Sequence, residues 1–147
     1  MLKWHCKRRM AYELVVRDAT VICRFMDQCV DKFDIATGDV VAHYPLGYDT
    51  DFLPLSDEYY LVGPKRGKYH ILDSDLHVVA SIPYVEMNPH MYDSFIINRA
   101  DIVSNGIEIC GFEHTREADR NALHSNPRNL NELSERSRFT RVVKVSF

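Results

Sequence analysis

The sequence predicts a mainly β protein, an antiparallel meander of hairpins with one short helix near the C-terminus. Three observations carry that expectation. From Tyr12 onward, β-branched and aromatic residues come in short runs separated by turn-formers. The stretches DIATGDVVAHYP (34–45) and DSDLHVVASIP (73–83) both write an Asp, a polar turn, Val-Val-Ala and a Pro, with 39 positions between Asp34 and Asp73. Only the segment opened by Asn126 and Pro127 combines a cap residue, a first-turn proline and spaced leucines, Leu130 and Leu133, before Arg136.

Taken in order, ELVVR and TVICRF flank Asp18-Ala19 as a first hairpin. Alternation places Val21, Cys23 and Phe25 on one face and Ile22, Arg24 and Met26 on the other. DKFDI and DVVAHY form a hairpin around Ala-Thr-Gly, where Gly38 supplies a positive φ and Asp34 or Thr37 binds the turn backbone. DEYYLVGPKRGKYHIL forms another, with Lys65-Arg66 at its tip, and Asp73, Ser74 and Asp75 turn the chain into HVVASIP. SFIIN and NGIEICGF pair around Asn105-Gly106, and FTRVVKVSF alternates as a last strand. Residues 113–129, EHTREADRNALHSNPRN, carry few apolar side chains and are expected to be a polar loop or mobile segment.

The repeat over residues 29–84 resembles the outer hairpins of β-propeller blades of the quinoprotein kind, where an Asp, a Thr-Gly turn and a Val-rich strand recur. The resemblance implies four strands per period. A 39-residue period fits fewer than four times into 147 residues, so the expected product is a small sheet, a sandwich or a partial propeller-like arrangement. None of the metal or cofactor residues of quinoprotein enzymes can be placed on the chain.

Length suits one domain over residues 1–147 with a core of its own. No run approaches the apolar length of a membrane span. The basic start MLKWHCKRRM leads into a stretch broken by Glu13, Arg17 and Asp18, which does not read as a secretory signal, so a cytoplasmic location is expected. Cys6, Cys23, Cys29 and Cys110 include no Cys-x-x-Cys and read as reduced thiols. Net charge is -3, distributed unevenly: residues 1–10 and 114–147 are basic, whereas residues 11–113 carry seven basic side chains against seventeen acidic ones.

No motif for catalysis, a metal or a cofactor is present, so the expectation is a protein that is not an enzyme and needs no cofactor. His43, His70 and His77 read as strand histidines, because their spacing is not that of metal ligands. Glu113, His114, Asn121 and His124 read as solvent-facing residues of the expected polar loop, and Asp49-Thr-Asp51 and Asp73-Ser-Asp75 as turn aspartates. The stretch YDTDFLPLSDEYY sets Tyr48, Asp49, Asp51, Phe52, Asp57, Glu58 and Tyr59 together, aromatic anchors beside steering carboxylates. In general character the chain resembles the immunity proteins and phage-encoded inhibitors that cover a basic toxin or defence enzyme. That resemblance implies binding and inhibition of a partner protein with a basic surface. Two alternatives stand beside it: a ligand- or glycan-binding propeller-like module that oligomerises, and a nucleic-acid binder using Lys7, Arg8, Arg9, Arg138 and Arg141.

Overall fold

The computed structural model describes residues 4, 11–25, 29–47, 50–56, 58–125 and 128–147. The chain divides into two compact units, Met1–Ser81 and Ile82–Phe147. The first unit holds two meanders of four strands each. One contains β1 (Ala11–Arg17), β2 (Thr20–Phe25), β3 (Cys29–Asp34) and β4 (Val40–Pro45) in that spatial order, every neighbouring pair antiparallel. The other contains β5 (Asp51–Pro54), β6 (Tyr60–Lys65), β7 (Lys68–Leu72) and β8 (Val78–Pro83), and its last strand runs into the second unit. The sequence repeat is thereby located: it writes the third and fourth strands of two successive four-stranded sheets.

Both copies close their hairpin with the same device, an aspartate that folds back on its own turn. Asp34 Oδ1 accepts the Ala36 and Thr37 amides at 2.8 and 3.0 Å, and Asp73 Oδ1 accepts the Asp75 and His77 amides at 2.9 Å each. The residue before the outgoing strand must then turn left-handed. Gly38 does so at φ 77°, and in the second copy Leu76 does so at φ 64°. The cost of that conformation for leucine is offset by burial, since Leu76 is 3 % exposed within the core. The strands that follow carry the same burial pattern: two exposed valines, a half-buried alanine, an exposed polar residue, a buried large side chain and an exposed proline.

Ile22, Val30 and Tyr44 from the first sheet and Phe52, Tyr60, Val62 and Leu72 from the second share one hydrophobic cluster. Phe52 and Tyr60 stack there with ring centroids 5.1 Å apart, and the Arg17 guanidinium lies 4.9 Å from the Tyr60 ring centre. The other face of the first sheet has its own cluster of Cys23, Phe25, Cys29 and Phe33, with Val21 and Trp4 packed against it. The expected alternation of Val21, Cys23 and Phe25 against Ile22 is therefore what the sheet shows, and burial on both faces explains its near-continuous apolar runs.

The second unit contains α1 (Tyr84–Met87), β9 (Ser94–Val103), β10 (Gly106–His114), α2 (Arg116–Ser125), α3 (Arg128–Arg136) and β11 (Arg138–Lys144), with the strands ordered β11-β10-β9. α3 is the expected C-terminal helix; Asn126 and Pro127 lie outside the described residues. The expected loop over 113–129 is instead the end of β10 followed by α2. Its start is held by Thr115 Oγ1, which accepts the Ala118 amide at 3.2 Å, and by Asp93, which accepts the Arg116 amide at 3.0 Å. Sequence pattern misses α2 because Ala122, the buried position among its described side chains, is also one of its smallest. Gly111 permits close strand approach: a Cβ there would stand 1.8 Å from the Ile96 carbonyl oxygen.

Replacing Phe52 with Ala is expected to destabilise the protein by about 3–5 kcal/mol, because it empties the centre of the cluster shared by the two sheets. Denaturant unfolding followed by far-UV circular dichroism measures this. A loss below about 1 kcal/mol would contradict the burial of Phe52.

Candidate functional site

Of the acidic segment, Tyr48, Asp49 and Asp57 lie outside the described residues. The other four are dispersed by the fold. Phe52, expected as a contact anchor, is 2 % exposed and belongs to the core, because inward alternation on β5 sets it against Tyr60. Asp51 opens β5 half-buried, and burial pushes its carboxyl up from the ordinary value although the Arg24 guanidinium pulls it down. Glu13 is raised for the same first reason, again opposed by Arg24 and reinforced by the charge of Asp51, with its Oε2 3.9 Å from Arg24 Nη1. Arg24 also donates to the Thr50 carbonyl. The charge of one guanidinium thus acts on two carboxyls, and Asp51 is half-buried instead of lying on an open surface. Glu58 remains exposed and Tyr59 half-buried, on a turn closed by Leu55 N–H donating to Tyr59 O at 3.0 Å.

The basic residues proposed to follow a phosphate backbone fare similarly. Lys7, Arg8 and Arg9 lie outside the described residues. Arg141 grips both Glu113 carboxylate oxygens at 2.8 and 3.0 Å, donates to Met87 O at 2.7 Å and lies 4.8 Å from the Phe139 ring centre. That is a clamp inside the second unit, which withdraws Arg141 from a phosphate-tracking surface. Arg138 stays exposed, 5.8 Å from the Phe112 ring centre.

The three histidines of the repeat each take a different partner. His77 lies 3.7 Å from Asp73, His70 Nδ1 is 2.8 Å from Ser81 Oγ, and His43 Nδ1 is 2.5 Å from Asp31 Oδ1. The His70 imidazole is held below its ordinary pKa, first by burial and then by Lys65 and Lys68. With Tyr44 and Arg66 these groups line an open hollow of about 380 Å³. Lys65 is partly spent there, since its ammonium donates to Pro45 O at 2.7 Å and lies 4.8 Å from the Tyr44 ring centre.

Beside the His43–Asp31 pair, the Cys29 thiol points at the other carboxylate oxygen, Sγ to Oδ2 3.8 Å. Donor atoms of Cys29, Asp31 and His43 all lie within 4.8 Å of one another, the group among the described residues whose geometry suits a metal ion. A second constellation joins β9, β10 and α2. His114 Nε2 is 2.7 Å from Asp119 Oδ1, and Ser94 Oγ donates to Asp119 Oδ2 at 3.2 Å. Here the carboxylate stands between hydroxyl and imidazole, so the imidazole does not reach the Ser94 proton, and the order is wrong for a hydrolytic relay. The sequence offers no signal for either constellation, because each is assembled by strand pairing or by a helix returning to the sheet.

No protein family matches the chain, and no curated protein matches it. Among solved structures, the crystal structure of BamB from Moraxella catarrhalis aligns with 66% of this chain at 18% identity and a TM-score of 0.42. The alignment takes in 27% of that chain, so this protein spans well under two thirds of its length. Among the described residues, no helix is long and apolar enough to cross a membrane.

The raised carboxyls of Asp51 and Glu13 set a sign for stability. Each binds a proton more readily folded than unfolded, so its contribution is complete below the ordinary carboxylate pKa and is lost as pH rises through the raised folded value. Asp51→Asn is therefore expected to raise the urea midpoint at pH 7 relative to wild type and to leave it nearly unchanged at the acid end. A lower midpoint at pH 7 would show that the Arg24 attraction outweighs burial.

Proposed function

We propose that the protein acts by binding another protein, and that the contact is made along the outer edges of its two four-stranded sheets. One observation carries this reading. β4 and β8 are the last strands of their sheets, with no described strand on their outer side, and each shows a pair of exposed valines. Val40 and Val41 are 49% and 56% exposed, Val78 and Val79 49% and 40%. An edge strand with unpaired amides and carbonyls and apolar side chains is a template for an added strand, unless a charge or a proline guards it. Here the prolines, Pro45 and Pro83, stand at the far ends and leave the valines unguarded.

Charge supports a basic partner. The acidic balance of residues 11–113 and the exposed Glu58 beside half-buried Tyr59 steer a cationic surface toward the chain. The finer reading is an inhibitor of the immunity-protein kind, acting in the cytoplasm by covering a basic toxin or defence enzyme. A self-associating propeller-like module is the second reading, favoured by Leu14 and Val16, 62% and 67% exposed on the opposite edge strand β1. An oligomer of fixed size in light scattering, at concentrations where no other protein is present, would select it.

The test is affinity capture from host lysate with wild type and with Val41→Lys/Val79→Lys, at low and high salt. One stoichiometric protein held at low salt, released at high salt and missing from the variant is the expected result. Nucleic acid alone, or a protein held equally by the variant, would overturn the edge-strand contact. With the captured partner in hand, Glu58→Lys is expected to lower the association rate roughly several-fold and to flatten its salt dependence.

A further inference from the structure

We propose that Cys29, Asp31 and His43 form a binding site for one divalent transition-metal ion of the zinc class. Backbone register brings them together. Asp31 on β3 stands directly opposite His43 on β4, and Cys29, two residues before Asp31, shares its face of the strand. Placement therefore needs no unusual loop or strain.

The donor set narrows the ligand. A thiolate, a carboxylate oxygen and an imidazole nitrogen together suit zinc and its neighbours, whereas calcium and magnesium take oxygen and reject the thiol. The spacing is close to what such an ion asks. Metal–ligand lengths of about 2.0–2.3 Å in a tetrahedron separate donor atoms by roughly 3.2–3.8 Å. Cys29 Sγ stands 3.8 Å from Asp31 Oδ2 and His43 Nδ1 2.5 Å from Asp31 Oδ1, and one donor atom from each residue lies within 4.8 Å of the others, so a side-chain movement brings thiolate, carboxylate oxygen and imidazole to one ion. The ring able to make that movement is His43, whose side chain is 50% exposed, while Asp31 is fully buried. Two inner ligands are thus held by the sheet, and an outer imidazole closes on the ion.

The repeat supplies an internal comparison. The positions equivalent to Cys29, Asp31 and His43 in the second copy are Lys68, His70 and Ser81. There the cross-strand contact survives as a His70–Ser81 hydrogen bond, but the donor set is gone and an ammonium group takes the thiol's place. The hairpin consequently folds without a thiol or a carboxylate at these positions, so the fold does not account for their presence in the first copy. A cysteine nucleophile is the other chemistry such residues offer, and the geometry opposes it. The Asp31 carboxylate lies between thiol and imidazole, so His43 Nδ1 faces the carboxylate and not the thiol proton. On the same face Phe33 stacks on Trp4 at 5.7 Å, an apolar wall that strengthens charge attraction at the site.

The full chain, reduced and freed of metal, is titrated with Zn²⁺ by calorimetry and with Co²⁺ by absorption spectroscopy. Expected are one Zn²⁺ per chain and a thiolate-to-cobalt charge-transfer band that disappears in Cys29→Ser. His43→Ala, a change at a half-exposed side chain that spares the core, should weaken Zn²⁺ at least about tenfold, by analogy with the loss of a supporting group around a metal. His70→Ala should bind as wild type does. Absence of stoichiometric Zn²⁺, a cobalt band that survives Cys29→Ser, or equal affinity in His43→Ala would overturn the site.

Discussion

The cluster that joins the two four-stranded sheets is the constraint on which the first unit depends. Each sheet alone would offer water one apolar face, and the unit has a stable interior because Ile22, Val30 and Tyr44 meet Phe52, Tyr60, Val62 and Leu72. Once those side chains are committed inward, period-two alternation decides where the rest go. It sends Cys29 and Phe33 to the opposite face of β3, where a second cluster with Cys23 and Phe25 receives them. It also leaves the valines of β4 and β8 outside, at the same places in both copies.

The two copies show how one turn can be built with different residues. Both rely on an aspartate carboxylate that accepts two backbone amides, the local bond that competes well against continued strand. They differ at the left-handed residue. Gly38 meets the conformational demand without a side chain, and Trp4 occupies the space a Cβ would need, its ring carbon 2.6 Å away from that point. Leu76 meets it with a side chain driven into the core. Steric freedom in one copy and hydrophobic burial in the other reach the same backbone.

Among the described residues, several charges are engaged within the fold. Arg24 faces Glu13, Arg141 grips Glu113, and Lys32 reaches the Ser74 carbonyl and Asp75, tying the turn of the second copy to the strand of the first. Arg141 and Glu113 are the most enclosed of these pairs, 20% and 12% exposed, whereas Asp75 remains 68% exposed. Among the described residues, Glu58 and Arg138 are the members of the two sequence-derived contact sets that the fold leaves exposed.

By itself the sequence determined the strand runs, the aspartate turns, the positive φ at Gly38, the repeat of paired strands and the C-terminal helix. These are local: periodicity, turn chemistry and capping act over a few residues and are written in order. Tertiary structure alone decided the rest. Whether Phe52 lies on a surface or in a core depends on a sheet formed by residues far from it in the chain. The helix over Arg116–Ser125 exists because Asp93 and Thr115 cap a segment whose own apolar pattern is too sparse to announce it. Asn88 is invisible as an organiser until it is seen fully buried, accepting the Tyr92 amide and donating to the Tyr92 carbonyl. Cys29, Asp31 and His43 converge only through the register of β3 on β4, and a one-residue slip would turn His43 to the other face.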